Sequence, residues 1–215
     1  MARANGCVFD GDVVFARAAK LGLESKKKSW HYQERDQAAR AEFVKALESV
    51  QERDRVYVDE TGCDERLQRE HGWSVCGTPC FGTRAGRARE RRSVVAAWNR
   101  SSAPDESSAP DKSGLLAPLS FEGTCHHRLF ELWLRVMLSP LLRPGQVVIL
   151  DNARFHRKKA VERILNKVGC RALFLPSYSP DLNPIEQQWH PFKTRVRTNR
   201  IRGMDFKQAF EAALL

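Results

Sequence analysis

An α/β fold is what this sequence predicts, and three observations predict it. Between Gln146 and Trp189 the pattern alternates. Val147 to Leu150 form a continuous apolar run, the mark of a strand covered on both faces. Val161, Ile164, Leu165 and Val168 then recur at helical spacing, with Gly169 placed to stop the helix. The alternation repeats: Arg171 to Leu175 read as a second short strand, and Asn183-Pro184-Ile185-Glu186 opens a second helix, with Asn183 as cap and Pro184 at the first helical position. The third observation is that acids stand at element ends: Asp59 and Asp151 after apolar runs, Glu186 at a helix start. In open α/β sheets chemistry gathers at the C-terminal ends of strands.

The remaining elements follow in chain order. Asp12 to Leu21 predict a short helix with Asp12 as cap and Gly22 beyond its end. Lys26, Lys27 and Lys28 precede Trp30, His31 and Tyr32, a basic run with aromatics that suits a phosphate backbone and equally suits a solvated linker. From Glu34 to Val50, Ala38, Ala41, Phe43, Val44 and Leu47 support an amphipathic helix. Arg55 to Val58 read as a strand that ends on the turn signal Asp59-Glu60-Thr61-Gly62. Gly72 to Gly86 predict an irregular connection. It leads into the densest basic cluster, Arg84, Arg87, Arg89, Arg91 and Arg92, expected to face solvent or a phosphate.

Ser93 to Trp98 and Leu115 to Phe121 read as two more strands. Between them S-S-A-P-D-E (101–106) repeats as S-S-A-P-D-K (107–112), so residues 100–113 predict a disordered hairpin insertion. His126 to Leu142 predict one amphipathic helix built on Leu129, Phe130, Trp133, Leu134, Met137 and Leu138. Beyond Glu186, Trp189, Phe192 and Val196 continue an apolar stripe, while Lys193, Arg195, Arg197, Arg200 and Arg202 form a basic face. Asp205-Phe206-Lys207-Gln208 has capping-box spacing ahead of a last helix with Phe206, Phe210 and Ala213 inward.

Composition narrows the function. Hydrophobic residues make up 42% and charged residues 29% of the 215, the balance of a soluble globular protein. A net charge of +10 favours a polyanionic partner. No secretory signal is visible, and Leu129 to Leu142, broken by Glu131 and Arg135, is too short to span a bilayer. The expectation is a cytoplasmic protein with no membrane partner. The six cysteines are scattered, and reduced free thiols are the preferred reading. A zinc site on Cys76, Cys80 and His71 lacks a fourth ligand unless Cys63, His126 or His127 folds in.

Taken singly, each acid has a plain explanation: Asp59 and Asp151 as turn residues, Glu186 as the capping-box partner of Asn183. Glu60 and Asp181 read as turn or solvent residues. As a set, Asp59, Asp151 and Glu186 point to a divalent-metal site, because Mg²⁺ prefers hard oxygen ligands.

The motifs Y-V-D-E-T-G (Tyr57–Gly62), V-V-I-L-D-N-A-R-F-H (Val147–His156) and L-P-S-Y-S-P-D-L-N-P-I-E-Q-Q-W (Leu175–Trp189) resemble those of mariner-type DDE transposases, in particular the bacterial branch named after insertion sequence 630. Asp151 and Glu186 are separated by 34 residues (152 to 185), a spacing that fits that family. The resemblance implies a ribonuclease-H-like fold, a mixed five-stranded sheet flanked by helices, in residues 51–215. Residues 1–50 would be a remnant of an N-terminal DNA-binding region plus a linker helix, with recognition of transposon ends lost. It implies Asp59, Asp151 and Glu186 as catalytic and metal-binding residues for two Mg²⁺ ions, with Mn²⁺ as a substitute. Double-stranded DNA, both transposon ends and target, would be the partner of a nucleoid-associated bacterial homodimer that cleaves DNA and transfers the strand.

Asn152, His156 and Asn183 are expected to support the ligands or touch DNA. The cations expected on the DNA backbone are Lys26, Lys27, Lys28, Arg84, Arg87, Arg89, Arg91, Arg92, Arg157, Lys158, Lys193, Arg195 and Arg197. Two other readings stay open: a catalytically silent remnant that binds DNA or a full-length transposase, and an enzyme acting on RNA–DNA hybrids.

Overall fold

The computed structural model describes residues 33–67, 73–83, 86–87, 90–100 and 114–214. The Asp12–Leu21 helix, the lysine run 26–28, His71, Arg84, Arg89 and the duplicated hexamer lie outside them. The chain divides into two units, Met1–Gln33 and Glu34–Leu215, and the second contains every element described here. In chain order these are α1 (Gln37–Glu48), β1 (Arg55–Asp64), β2 (Arg91–Trp98), β3 (Leu115–Glu122), α2 (His127–Trp133), β4 (Val147–Leu150), α3 (Lys158–Asn166), β5 (Arg171–Phe174), α4 (Glu186–Ile201) and α5 (Phe206–Ala212).

The five strands form one sheet in the order β3-β2-β1-β4-β5. The first three are an antiparallel meander, whereas β4 lies parallel to β1 and β5 parallel to β4. Parallel neighbours need crossover connections, and α2 and α3 supply them. The mixed five-stranded sheet is the one the family resemblance implied.

Strand periodicity sorts the core into two halves. Val56, Val58, Val148 and Leu150 point to one face, where they meet Phe130 and Trp133 of α2, Leu138 just beyond it, and Val161 and Leu165 of α3. Tyr57, Val147 and Ile149 point to the other, against Trp189, Phe192 and Val196 of α4 and Phe206 and Phe210 of α5. The stripes read from α3 and α4 therefore both face the sheet. The predicted capping box of α5 is also present: Asp205 accepts from the Gln208 amide at 2.8 Å.

Four expectations need correction. In α1, capped by Asp36, Phe43 is buried and Leu47 packs on the core, but Ala38, Ala41 and Val44 are exposed. The buried edge thus runs through Phe43, Leu47 and Val50. The helix expected over His126–Leu142 is α-helical only to Trp133; Leu134–Leu138 widen into a π turn and Ser139–Leu141 tighten into a 3₁₀ turn. The Leu134 carbonyl accepts both the Ser139 amide, the wide-pitch bond of the π turn, and the Ser139 hydroxyl at 2.6 Å.

Asp59-Glu60-Thr61-Gly62 is not a turn. β1 continues through it to Asp64, paired with β2 from Tyr57↔Trp98 to Asp64↔Arg91. Gly62 is there for space: a Cβ would lie 2.7 Å from Ser93 Oγ, so the two strands approach only over a bare backbone. Finally, Arg92 faces neither solvent nor a phosphate. It is buried, 3.0 Å from Glu90, 3.1 Å from Glu211 and 3.7 Å from Glu122, because a guanidinium leaving water requires anionic partners.

Candidate active site

β1 outruns β4. Their parallel pairing stops at Tyr57↔Ile149, so β1 extends two residues to Asp59 beyond the last pair, while β4 ends at Leu150 and the chain turns at Asp151. Asp59 shares the Tyr57 face of the sheet, towards α4. Glu186, in the first turn of α4, lies on that same side. Asp59, Asp151 and Glu186 consequently line one pocket of about 490 Å³, with Asn152, Asn183 and the Pro176–Pro180 turn around it.

Each acid has a different setting. Asp59 is 8% exposed, and the Trp189 indole Nε1–H donates to its Oδ2 at 2.6 Å. Burial pushes the Asp59 carboxyl up to about 7; the Trp189 hydrogen bond opposes this, and the Glu186 and Asp151 charges add to it. At Asp151 burial also disfavours the anion, but the His156 hydrogen bond and charge and the Ala153 amide outweigh it and hold the carboxyl below its usual value. The Ala153 amide lies 3.1 Å from Asp151 Oδ1, and His156 Nδ1 lies 2.8 Å from the same oxygen and 3.2 Å from the Asp151 carbonyl. Both partners of Nδ1 are acceptors, so the proton belongs on Nδ1. Glu186 is exposed as a residue but its carboxyl is partly shielded in the pocket, and that partial burial, with Asp151, raises it against the pull of Lys193.

Glu60, read from the sequence as a turn or solvent residue, points to the opposite face of the sheet. Its Oε2 is buried without a hydrogen bond, 3.8 Å from the equally buried Nε2 of His156. Burial, then Asp59, Asp151 and Glu186, push its carboxyl up to about 8. The His156 ring is wedged between Phe130 and Phe155, with centroids 4.1 and 4.2 Å away.

Among the described residues no three His, Cys, Asp or Glu side chains already stand in metal-ligating geometry. The donor set nevertheless fits a hard dication. Carboxylates crowd one pocket, and burial, with their mutual repulsion added to it, raises Asp59 and Glu186, the electrostatic condition that a cation relieves. Cys76 and Cys80 are exposed free thiols.

Asn183 does not cap α4, and Glu186 is not its capping partner. The helix begins at Glu186 behind Ile185 without any side-chain cap, and Asn183 is buried with its amide 3.5 Å from the Val58 carbonyl, beside Asp59. Asn152 is exposed at the pocket. Among the cations, Arg157 is bound bidentately to Glu131 at 2.7 and 2.8 Å, Lys158 sits over the Phe174 ring, and Arg195 donates to the Ala213 carbonyl. Arg87 and Arg91 are exposed, while Lys193 and Arg197 are half-buried on α4.

Sequence reasoning missed two supports. Trp189 was read only as core, yet it stands one helical turn after Glu186, the i, i+3 spacing that puts both on one face. Asp181 is not a free turn residue: Arg35 reaches it at 2.6 Å and Arg40 at 2.7 Å, and Arg35 also donates to the Tyr178 carbonyl. Tyr178 has φ +56, so the turn that walls the pocket is held in a sparsely populated conformation.

Three structures of Mos1 transposase share the fold: a paired-end complex with the left transposon end (TM-score 0.59, 15% identity), a strand transfer complex (0.59, 18%) and a mariner Mos1 paired-end complex with Mg (0.57, 16%). The match covers 94% of this chain in each and 65–66% of the Mos1 chains, so this chain spans about two-thirds of their length. Among curated protein sequences none matches. The family model described as DDE superfamily endonuclease matches residues 54–205, well over half of the chain and the whole of the sheet. The chain belongs to the DDE superfamily endonucleases.

Proposed function

We propose that the chain is the catalytic domain of a DNA transposase, an endonuclease that nicks double-stranded DNA with divalent metal and joins the freed 3′-hydroxyl to a target. The observation that carries this reading is the meeting of Asp59, Asp151 and Glu186 on one pocket at the ends of β1 and β4. Its support from known proteins is the family match and the likeness to Mos1 structures described as a strand transfer complex and as paired-end complexes with Mg and with Mn.

In this reading Asp59, Asp151 and Glu186 hold two Mg²⁺ ions, with Mn²⁺ able to replace them. When bound, the ions supply charge neutralisation on the phosphate oxygens and activation of a water or 3′-hydroxyl. The protein's own groups do the rest. His156 and the Ala153 amide fix the rotamer of Asp151 and keep it anionic. Trp189 aims Asp59, and Asn183 braces the β1 backbone beside it. Asn152 and Arg154, at the pocket mouth, touch the DNA near the scissile phosphate. Arg87, Arg91, Lys193 and Arg197 neutralise backbone phosphates around the pocket. Residues 51–215 contain the chemistry, with α1 as a brace upstream, and the active species is a homodimer on transposon ends and target DNA.

A nicking assay on supercoiled DNA with Mg²⁺ tests this, comparing wild type with Asp151→Asn. The expected loss exceeds the roughly 10–100-fold typical of residues that merely support a ligand. Equal nicking by both proteins, or none by either at any Mg²⁺ or Mn²⁺ concentration, rejects the assignment.

A further inference from the structure

A second concave site lies apart from the acidic pocket. It is a groove of about 630 Å³ between α3 and the π-turn continuation of α2. Arg135 enters it from the π turn; Lys159, Arg163 and Lys167 enter it from α3 and the residue that ends it. The α3 cations recur every fourth residue, so they share one helix face and extend over roughly 12 Å along it. All four are exposed, and among the described residues none has a hydrogen bond or ion pair.

The acids nearby do not balance them. Glu131 holds the Arg157 guanidinium through both oxygens and feels Arg135 only as a weaker, through-space charge. Glu162 lines only a shallower neighbouring depression, with Lys159, Arg163 and Lys167. Four cations thus remain in a concave surface with an aliphatic floor at Ile164 and no aromatic ring for stacking on bases. A groove that offers only positive charge and alkyl stems recognises a phosphate backbone rather than bases.

We propose that this α2–α3 groove is a DNA-backbone site separate from the catalytic pocket, holding duplex phosphates on Arg135, Lys159, Arg163 and Lys167. It rests on the reading of the chain as a DNA enzyme and adds where a further segment of duplex is held. Arg154 lines the catalytic pocket and Arg157 lines the groove, three residues later in the loop that joins β4 to α3. The Arg157–Glu131 pair is its wall, and the phosphate ligands are the cations left without partners. The roughly 12 Å span matches the axial rise of about three to four nucleotides of one strand.

The test is binding of a short fluorescent mixed-sequence duplex, by anisotropy over a series of salt concentrations, in EDTA so that nothing is cleaved. Wild type is compared with the triple variant Lys159→Gln, Arg163→Gln, Lys167→Gln, and with a charge-matched control at distant exposed cations, Lys45→Gln, Arg53→Gln, Lys207→Gln. Thermal midpoints confirm that both variants fold. At low salt the groove triple loses about tenfold in affinity, and its slope of log affinity against log salt falls by roughly 2.7, about 0.9 per phosphate contact; the control keeps the wild-type slope.

Equal losses in both triples overturn the proposal in favour of diffuse net charge. An unchanged slope in the groove triple overturns it outright. If polyglutamate binding falls in the groove triple while duplex binding holds, the groove takes an acidic protein segment and the DNA assignment is lost. Because cleavage plays no part, an Asp151→Asn protein that nicks like wild type would reject the proposed function without touching this result.

Discussion

Asp59 and Asp151 line the same pocket but are held in opposite ways. Asp151 is supported from within its own loop, by the Ala153 amide two residues on and the His156 ring five residues on, and its carboxyl is held below the usual value. Asp59 is supported across 130 residues of sequence by Trp189, is almost wholly buried, and has its carboxyl pushed up to about 7. One acid is a preorganised anion that opens to solvent; the other is an anion only at a cost that a neighbouring cation would offset. The difference teaches that the two carboxylates are not interchangeable. Binding of a dication should depend on Asp151 for geometry and on Asp59 for charge.

The sharpest way to break that comparison is at His156. His156→Ala removes the hydrogen bond to Asp151 and also the ring wedged against Phe130 and Phe155, whereas His156→Asn keeps a donor close to the Nδ1 position and loses only the ring. If the imidazole acts by positioning Asp151, His156→Ala lowers nicking by about 10–100-fold and raises the Mg²⁺ concentration needed for half-maximal rate, and His156→Asn restores most of both. Both variants lose stability, because both leave a hole beside Phe130. Equal nicking defects in the two variants, tracking only their thermal midpoints, would mean that the ring matters as packing alone.

Trp189→Phe probes the other acid with a smaller effect. The aromatic volume stays, but the buried Oδ2 of Asp59 loses its donor, which costs about 1–3 kcal/mol. For a chain of this size each kcal/mol lowers the thermal midpoint by roughly 2–4 °C. The informative measurement is the midpoint with and without Mg²⁺. A dication that binds Asp59 supplies part of what the indole did, so added Mg²⁺ should narrow the gap between Trp189→Phe and wild type. A gap that Mg²⁺ leaves unchanged would place Asp59 outside the metal's reach.

Much of this was legible in the sequence, and the failures share a physical cause. β4 could be read directly because a run of four apolar residues has few alternatives, and α3 and α5 because their stripes and caps are local. The end of β1 was misread because D-E-T-G carries turn chemistry, while the strand continues only through pairing with β2. Gly62 is a close-approach glycine there, and nothing within the motif distinguishes that from a turn. The three acids were found because motif resemblance joins residues that periodicity leaves separate. Their supports divided along the same line: His156 stood inside the motif, but the contacts of Trp189 with Asp59 and of Arg35 and Arg40 with Asp181 span well over a hundred residues and have no local signature. Arg92 shows the converse. Clustered arginines look like a solvated face until β2 turns one of them inward to Glu90 and Glu211.

The smallest expected effect is at the long-range support of the pocket wall. The Arg40 hydrogen bond, followed after the opposing effect of burial by the charges of Arg40 and Arg35, holds the Asp181 carboxyl below its usual value. A carboxylate whose folded value is depressed contributes stability that is present above its unfolded value, about 3.9, and lost as pH falls through the lower folded one. Asp181 is about half exposed, with a side-chain exposure of 47%, so solvent screening limits the pair to at most about 1 kcal/mol. Asp181→Asn should therefore melt slightly below wild type at neutral pH; the difference should begin to shrink near pH 4 and close only as pH falls through the depressed folded value, below which the wild-type carboxyl is also neutral. The same variant releases the Tyr178 turn that walls the pocket, so KM for DNA should rise more than kcat falls. A melting difference that persists undiminished to pH 2, or a fall confined to kcat, would show that the two arginines serve helix α1 and leave the pocket unaffected.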